Sequence, residues 1–553
     1  MFFSVWNGLF AIISGIYAFT FLHDRRRQRP PLPPGPRRIP IIGNLLDLPG
    51  PDQQDWIYWL KYKDRYGEAR TVLRLNYERM LILFETGPIS SLNVLGAEII
   101  IVNDARVAVE LLEKRSRIYS SRPRQKFLDM SGWSKVLGAM NDPDRFRKTR
   151  KHFHQEIGSN ISVASFDHVQ LTETSHFLLR IMNEPEKLQE HIRKEAGGII
   201  LKIAYGYIIE AHDRDPLIDL INTAMADFGQ AMLAMTWMVD FIPIPWLPGA
   251  GFISTAKEFE TRSKAVSDVP YNFVKRQMKS GHLIPSFLSN ALKESSVEPG
   301  SEEEDIIKWS AASLYGGGAD TTVSSIANFF LAMALFPEVQ HKAQQEIDKV
   351  VESGQMPQFR DRENLPYVNA VVKEVLRWHP VVPINVVHTS TQDDTFEGYF
   401  IPKGSSVITN LWAFTHDENV YHDPMAFKPE RFLATDGHVP ERDPHMLVFG
   451  FGRRICPGRN LADSNVFLSI AQSLTVFEIS KPIRDGKLQD IPIKFLPGVI
   501  SHPAPFELSI KPRSEKHREL VQSLEQLYPW EKSHGDLLSG VPAGTNRMEM
   551  GQQ

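Results

Sequence analysis

The chain holds a single cysteine, Cys456, in the run Phe449-Gly450-Phe451-Gly452-Arg453-Arg454-Ile455-Cys456-Pro457-Gly458. A lone thiol cannot close an intrachain disulfide, and it cannot build a multi-cysteine zinc or iron–sulfur site. It can act as one axial thiolate on a haem iron, and its neighbours suit that chemistry. Glycines such as Gly452 and Gly458 let the backbone come close to a flat cofactor. Arg454 can meet a haem propionate through charge-assisted hydrogen bonds. Backbone N–H groups after the cysteine can bond the sulfur and tune it. The competing reading is a buried, inert cysteine in a Gly-rich loop, the common fate of an isolated thiol.

A second chemistry-bearing run is Gly316-Gly317-Gly318-Ala319-Asp320-Thr321-Thr322, inside a pattern that predicts a long helix from Asp305 to Phe336. Each glycine costs roughly 1 kcal/mol against alanine in a helix interior, so three together need a reason. A hinge or close helix packing is one reason. Removal of side chains so that the helix can pass over a cofactor face is the other. Asp320 beside Thr321, an acid next to an alcohol, is what proton delivery during dioxygen activation requires. A third run, Glu374-Val375-Leu376-Arg377, sets opposite charges three apart on one helical face. Pairs of that kind are common on surfaces and weak there.

These groups need a scaffold. Hydrophobic content of 42%, charge of 23% and net charge of −4 over 553 residues describe an ordinary globular chain and give no reason to expect nucleic-acid binding. One cysteine means no dependence on disulfides, which fits a cytosol-facing body. No internal repeat or sharp compositional break divides residues 50–512, which read as one large domain. Trp56–Tyr66 predicts a helix, Ser90–Val102 a hairpin turning at Gly96-Ala97, and residues 164–350 mostly helices. Shorter strands are expected at Thr395–Ile401, Ser406–Asn410 and Pro505–Ile510. Phe241–Gly249, rich in proline, interrupts the helices. Beyond Arg513 the chain reads as a disordered C-terminal tail (513–553), polar at its end from Gly540.

The N-terminus departs from the average. Residues 1–22 carry no charge and are long enough for a transmembrane helix. Arg25, Arg26, Arg27 and Arg29 follow, which places that flank in the cytosol. A cleaved signal peptide would want positive charge before the apolar run and a small-residue cleavage site after it, and neither is visible. Residues 23–49 form a basic and Pro-rich linker, stiff through Pro30-Pro31-Leu32-Pro33-Pro34-Gly35-Pro36.

The cysteine run resembles the haem-ligand loop of the cytochromes P-450, Phe-x-x-Gly-x-Arg-x-Cys-x-Gly, at every fixed position. The resemblance extends over roughly residues 30–512. Gly317-Gly318-Ala319-Asp320-Thr321-Thr322 is similar to the family's proton-delivery motif. Phe427-Lys428-Pro429-Glu430-Arg431-Phe432 is similar to its Phe-x-Pro-Glu-Arg-Phe, which implies a buried structural triad of Glu374, Arg377 and Arg431. The resemblance implies a mainly α fold with small β-sheets, the cytochrome P-450 fold, with a single N-terminal transmembrane helix in the endoplasmic reticulum membrane and the catalytic domain facing the cytosol. It implies haem b with Cys456 on the iron, and Asp320 and Thr321 as catalytic groups. Cofactor contacts are implied for Arg454, Arg150, His388, Arg122, Phe449, Gly452 and Gly458. Phe146 stands where the family often has a tryptophan donor to a propionate. Segments Phe127–Met140, Pro383–Val387 and Gly498–Ser501 correspond to pocket-lining regions and are mostly apolar, Asn385 excepted. The activity implied is monooxygenation of a hydrophobic small molecule with O2, and the implied electron source is an NADPH-cytochrome P-450 reductase. Rival readings are a P-450-fold enzyme acting without O2 and a non-catalytic haem protein.

Leu111–Ser116, Tyr119–Pro123 and Ile500-Ser501-His502-Pro503 resemble fungal members related to O-methylsterigmatocystin oxidoreductase, which act in secondary metabolism. One segment departs from the family pattern. Residues 68–87 separate Tyr66-Gly67 from Pro88, where the family has a short link. Two readings stand. One is a retained intron, since Gly67-Glu68 and Thr86-Gly87 can be encoded by sequences containing GTGAG and CAG. The other is a real membrane-touching loop carrying Leu81, Ile82, Leu83 and Phe84.

Overall fold

The computed structural model describes residues 29–50, 52–66, 89–233, 236–240, 251–294, 297–435 and 437–540. The expected transmembrane helix (1–22), the 68–87 segment, Phe241–Gly249 and the tail from residue 541 lie outside the described residues. Among the described residues no single helix is long and apolar enough to cross a membrane.

Helices dominate. The longer ones are α1 Asp55–Tyr66, α2 Pro143–Ile157, α3 Asp167–Asn183, α4 Leu188–Tyr205, α5 Pro216–Met232, α6 Gly251–Ser280, α7 Glu302–Leu335, α8 Pro337–Val350, α9 Pro366–Trp378, α10 Arg459–Val476 and α11 Glu515–Leu527. The small sheets use β1 Ile89–Val94, β2 Ala97–Val102, β3 His388–Thr389, β4 Asp394–Phe396, β5 Tyr399–Ile401, β6 Ser406–Thr409, β7 Phe477–Ser480, β8 Ile483–Arg484, β9 Lys487–Leu488 and β10 Ser509–Pro512. One sheet has four strands in the order β1-β2-β6-β3, with β2 and β6 parallel and the other neighbours antiparallel. The β1–β2 hairpin turns at Leu95 and Gly96, both with positive φ, as tight hairpins require.

Helix α7 is the axis of the molecule. Ser301 caps it by accepting from the Glu304 N–H, and Glu302, Glu303, Glu304 and Asp305 sit in its first turn, where the helix dipole favours acid. It therefore begins three residues before the start expected from the sequence. Packing holds it continuous through the three glycines, most of its length being buried between the other helices. Tertiary burial outweighs weak intrinsic propensity here.

Other boundaries also moved. The strand expected at Pro505–Ile510 is displaced to Ser509–Pro512, where it pairs with β7. The Pro-rich run is docked as well as stiff: the Pro31 carbonyl accepts from Phe400 N at 2.8 Å, and the Pro34 carbonyl accepts from Ser91 N at 2.8 Å. Proline lacks a donor but keeps its acceptor, so such a run can line a sheet edge. The chain after Arg513 folds back on the body. Val521 and Leu524 of α11 are buried, and Trp530 stacks on His176 of α3 at 3.9 Å. An amphipathic face at helical spacing, Val521 and Leu524, explains why this stretch is ordered.

Candidate active site

Cys456 stands on the loop that enters α10. Its backbone N–H donates to the Phe449 carbonyl at 2.8 Å, which closes the loop into a compact turn. Gly450 and Gly452 both take positive φ, 78° and 54°. At Gly452 a Cβ would lie 2.3 Å from the Leu112 carbonyl oxygen, so only glycine fits there. Burial pushes the Cys456 thiol pKa up, while the Gly458 backbone N–H directed at the sulfur, Arg150 and Arg459 pull it back in part. A cation at the sulfur would complete that balance in favour of the thiolate.

Across from Cys456 runs α7, and a cavity of about 340 Å³ separates them. Its walls include Gly317 and Thr321 on one side and Phe449, Cys456 and Gly458 on the other. Val136 and Leu137, Val381, Val382 and Val386, and Val499 and Ile500 contribute to an apolar lining. The three glycines do different work. A Cβ on Gly317 would meet nothing within 4 Å and would project into open space. On Gly318 it would lie 2.6 Å from Ile200 of α4, so this glycine serves close helix packing. Close helix packing therefore accounts for Gly318, while Gly317 leaves the cavity open. Thr321 donates its hydroxyl to the Gly317 carbonyl at 2.7 Å, an i to i−4 bond that fixes the side chain and leaves its oxygen able to accept.

One edge of the cavity concentrates positive charge that has no partner anion among the described residues. Arg122 is fully enclosed and donates only to the carbonyls of Gly138, Val386 and Val387. Arg454 likewise reaches only carbonyls, those of Ser120 and Met140 most closely, at 2.7 and 2.9 Å. Burial and the neighbouring Arg454 push the Arg122 pKa well down, and burial with both guanidiniums does the same to His388. The His388 Nδ1–H donates to the Tyr119 carbonyl at 2.7 Å, which leaves Nε2 as its free nitrogen. Arg150 donates to the Ile455 carbonyl at 2.6 Å. Asn385 Nδ2, also on the cavity, is enclosed with no hydrogen-bond partner. Buried cations and an orphaned donor together want an acidic occupant. A flat, dianionic macrocycle whose metal faces Cys456 meets that demand, so the residues present fit haem.

The Cytochrome P-450 family model matches residues 33–510. The chain belongs to the cytochrome P-450 family. It is 48% identical over 515 residues to cytochrome P-450 monooxygenase ppsD of Aspergillus oryzae, covering 92% of this chain and 94% of that one. It is 44% identical to cytochrome P-450 monooxygenase claR of Ampulloclitocybe clavipes, covering 92% and 91%. O-methylsterigmatocystin oxidoreductase of Aspergillus flavus is 40% identical over 524 residues, covering 94% and 95%. The protein is a haem-thiolate monooxygenase; cytochromes P-450 hold haem iron on a cysteine thiolate, and Cys456 is the chain's only cysteine. Such enzymes take a redox partner, O2 and a small-molecule substrate.

Placed against that cofactor, the other expected residues divide. Arg122, Arg150, Arg454, Phe449, Gly458 and Thr321 reach the cavity; Asp320, His388 and Gly452 stand behind its wall. Phe146 has not simply lost a donor: Arg454 lies over its ring, 3.7 Å from the centroid. The P-450 triad is present. Arg377 donates to both oxygens of Glu374 at 2.7 and 2.8 Å, and Arg431 Nε lies 3.1 Å from Glu374 Oε2. Glu441 is a fourth member, 2.6 Å from Arg431, which the sequence did not suggest because no local spacing links them. Also unforeseen are the partners of Asp320: His502 Nε2 at 3.2 Å and Arg193 at 3.5 Å. Burial raises the Asp320 pKa, but those two groups outweigh it and hold the carboxyl below its usual range.

Proposed function

We propose that the chain oxidises a hydrophobic small molecule of fungal secondary metabolism, with electrons from an NADPH-cytochrome P-450 reductase at the endoplasmic reticulum membrane. The observation that carries the site assignment is the cavity between Thr321 and Cys456, with buried Arg122 and half-buried Arg454 at its edge, neither paired with an anion among the described residues. The apolar lining supports a hydrophobic substrate, and the names of the relatives support secondary metabolism. Haem, when bound, supplies O2 activation and oxygen insertion. Everything else falls to the chain. Cys456 holds the iron, and the Gly458 N–H steadies the sulfur's charge. Arg122 and Arg454 would take the propionates, with Phe146 fixing the Arg454 plane, and His388 backs that edge from behind the wall through its bond to the Tyr119 carbonyl. Thr321, held by the Gly317 carbonyl, presents its oxygen to the cavity, and Asp320 behind it supplies protons. The apolar walls exclude water and orient the substrate.

Residues 1–22 anchor the protein in the membrane, with the body in the cytosol. Deleting them is expected to shift the protein toward the soluble fraction with its haem spectrum intact. The functional test is reconstitution with the reductase. Substrate-stimulated NADPH consumption with O2-derived oxygen in the product is the expected result; turnover with peroxide substrates alone, or none, would refute it.

A further inference from the structure

We propose that His502 is a positioning residue for oxygen activation: it holds Asp320 and re-supplies its proton from solvent. This rests on Asp320 and Thr321 delivering protons. His502 belongs to Ile500-Ser501-His502-Pro503, a run without a function so far.

The loop that carries His502 is clamped onto α7. The Ser501 N–H donates to the Val381 carbonyl at 2.8 Å, and the Ser501 hydroxyl sits 2.8 Å from both the Leu496 carbonyl and His379 Nε2. Ser324 donates to the Ser501 carbonyl at 2.6 Å. Ser324 lies four residues after Asp320, hence on the same face of α7 one turn on. Residues 501 and 502 thus meet α7 at two successive turns, Ser501 at Ser324 and His502 at Asp320. The His502 carbonyl accepts from Leu496 N at 2.8 Å, and Pro503 follows, so the backbone under the imidazole is fixed on both sides. A side chain so held is aimed, not incidental.

Chemistry separates the two cations at Asp320. Arg193, which also donates to Asn222 at 3.2 Å, carries a guanidinium with donors and no acceptor. It can fix the carboxylate but cannot feed it. His502 is the group there whose ring nitrogen can both donate and accept a proton. Its side chain is 21% exposed, against 13% for Asp320, so it links the buried acid to water. The groups facing it are Asp320 on α7, Arg193 on α4, and His379 after α9, whose pKa burial, His416 and His502 hold well below normal.

In the step, the Nε2–H bond of His502 breaks and its electron pair stays on nitrogen. The proton joins Asp320 Oδ1, passes on toward Thr321 and the cavity, and solvent water reprotonates His502. The net reaction takes one RH, one O2, two electrons from the redox partner and two protons for each ROH and water released.

The test needs no known substrate. The full-length holoenzyme with its reductase reduces O2 alone, either to peroxide or, with further protons and electrons, to water. Wild type is compared with His502→Gln, Asp320→Asn and Thr321→Ala, each first checked for its ferrous carbonyl spectrum; His502→Asn replaces a Gln variant that fails that check. His502→Gln should raise the peroxide share at least about threefold and remove the wild-type fall in water formation as pH rises. Histidine ring ¹⁵N resonances are recorded alongside. The signal lost in His502→Gln should titrate with the same midpoint as that fall, and it should move in Asp320→Asn. If Asp320→Asn and Thr321→Ala divert O2 to peroxide but His502→Gln does not, the role of His502 is refuted while the delivery motif stands. An unmoved ¹⁵N signal in Asp320→Asn also overturns the inference. If Thr321→Ala leaves the partition unchanged, the delivery reading itself fails and takes the inference with it.

Discussion

Replacing Glu374 by glutamine keeps the side chain's size and removes its charge. Glu374 and Arg377 are fully buried and Arg431 nearly so, at 3% exposure. The carboxylate accepts two bonds from Arg377, one from Arg431 and one from the Lys428 backbone N–H at 2.7 Å. A glutamine NH2 must face one of these donors, so at least one contact becomes a donor–donor clash. Arg377 would keep the Thr415 and Ala426 carbonyls, at 3.0 and 3.1 Å, and one bond to the neutral glutamine oxygen, whereas Arg431 would still have Glu441. One buried guanidinium is thus left without an anion. Breaking a buried ion pair by removing one partner costs about 3–5 kcal/mol. Against a total stability of roughly 5–15 kcal/mol that is about a fifth of the margin or more. The ratio of folded to unfolded protein should fall by about 10²–10⁴. The assay is the urea midpoint of the haem-loaded chain, together with the haem-to-protein ratio on expression. Lys342→Met is the control. It removes an exposed pair with Glu430, both side chains close to half exposed, and should cost at most about 1 kcal/mol. If Glu374→Gln unfolds at the same urea concentration as Lys342→Met, the triad is not a structural brace.

Three further outcomes are expected. Cys456→Ser should abolish the red-shifted Soret band that thiolate ligation gives the ferrous carbonyl complex; a normal band would remove the cysteine from the iron. Thr321→Ala should keep haem and divert reducing equivalents to peroxide, read as the peroxide-to-NADPH ratio. His445, just before the cysteine loop, lies 2.7 Å from Asp443 and 2.9 Å from Asp463; burial lowers its pKa, but the two carboxylates outweigh burial and raise it to about 9. A raised folded-state pKa means stability fully present below the unfolded value near 6.5 and lost as pH rises through about 9. The unfolding temperature of wild type should therefore drop between those values relative to His445→Gln, by the equivalent of up to ~3 kcal/mol; parallel curves for the two proteins would show that the ion network does not form.

What was legible in the sequence was local. The cysteine loop folds through bonds between residues a few apart, Cys456 to Phe449, and through glycines whose φ only glycine tolerates. Glu374 and Arg377 share a face because a helix turns in 3.6 residues. The β1–β2 hairpin and α7 followed from alternation and length. Boundaries were less legible, because α7 gains its first turn from the Ser301 cap and β10 is set by its partner β7, neither visible as a hydrophobic period. The order after Arg513 was missed because Val521, Leu524 and Trp530 are few among many charges, and only the surface of α3 shows what they cover.

Contacts between distant segments follow a different logic, and Phe146 shows it. From the sequence alone, phenylalanine in place of tryptophan reads as a lost hydrogen bond to a propionate. In the structure the ring lies against the guanidinium of Arg454, whose own hydrogen bonds go to backbone carbonyls. A cation over an aromatic face gains about 0.5–2 kcal/mol, more when desolvated. The substitution trades one direct contact for a firmer hold on the arginine that remains. Asp320 is a parallel case. Its proposed role beside Thr321 is readable from neighbouring residues, but the groups that hold its carboxyl below the usual range are His502 and Arg193, brought from two other elements. In this chain the groups that perform chemistry are adjacent in sequence, and the groups that tune them are not. Substitutions at the second kind of position should therefore change coupling and pH response while leaving every motif of the first kind intact.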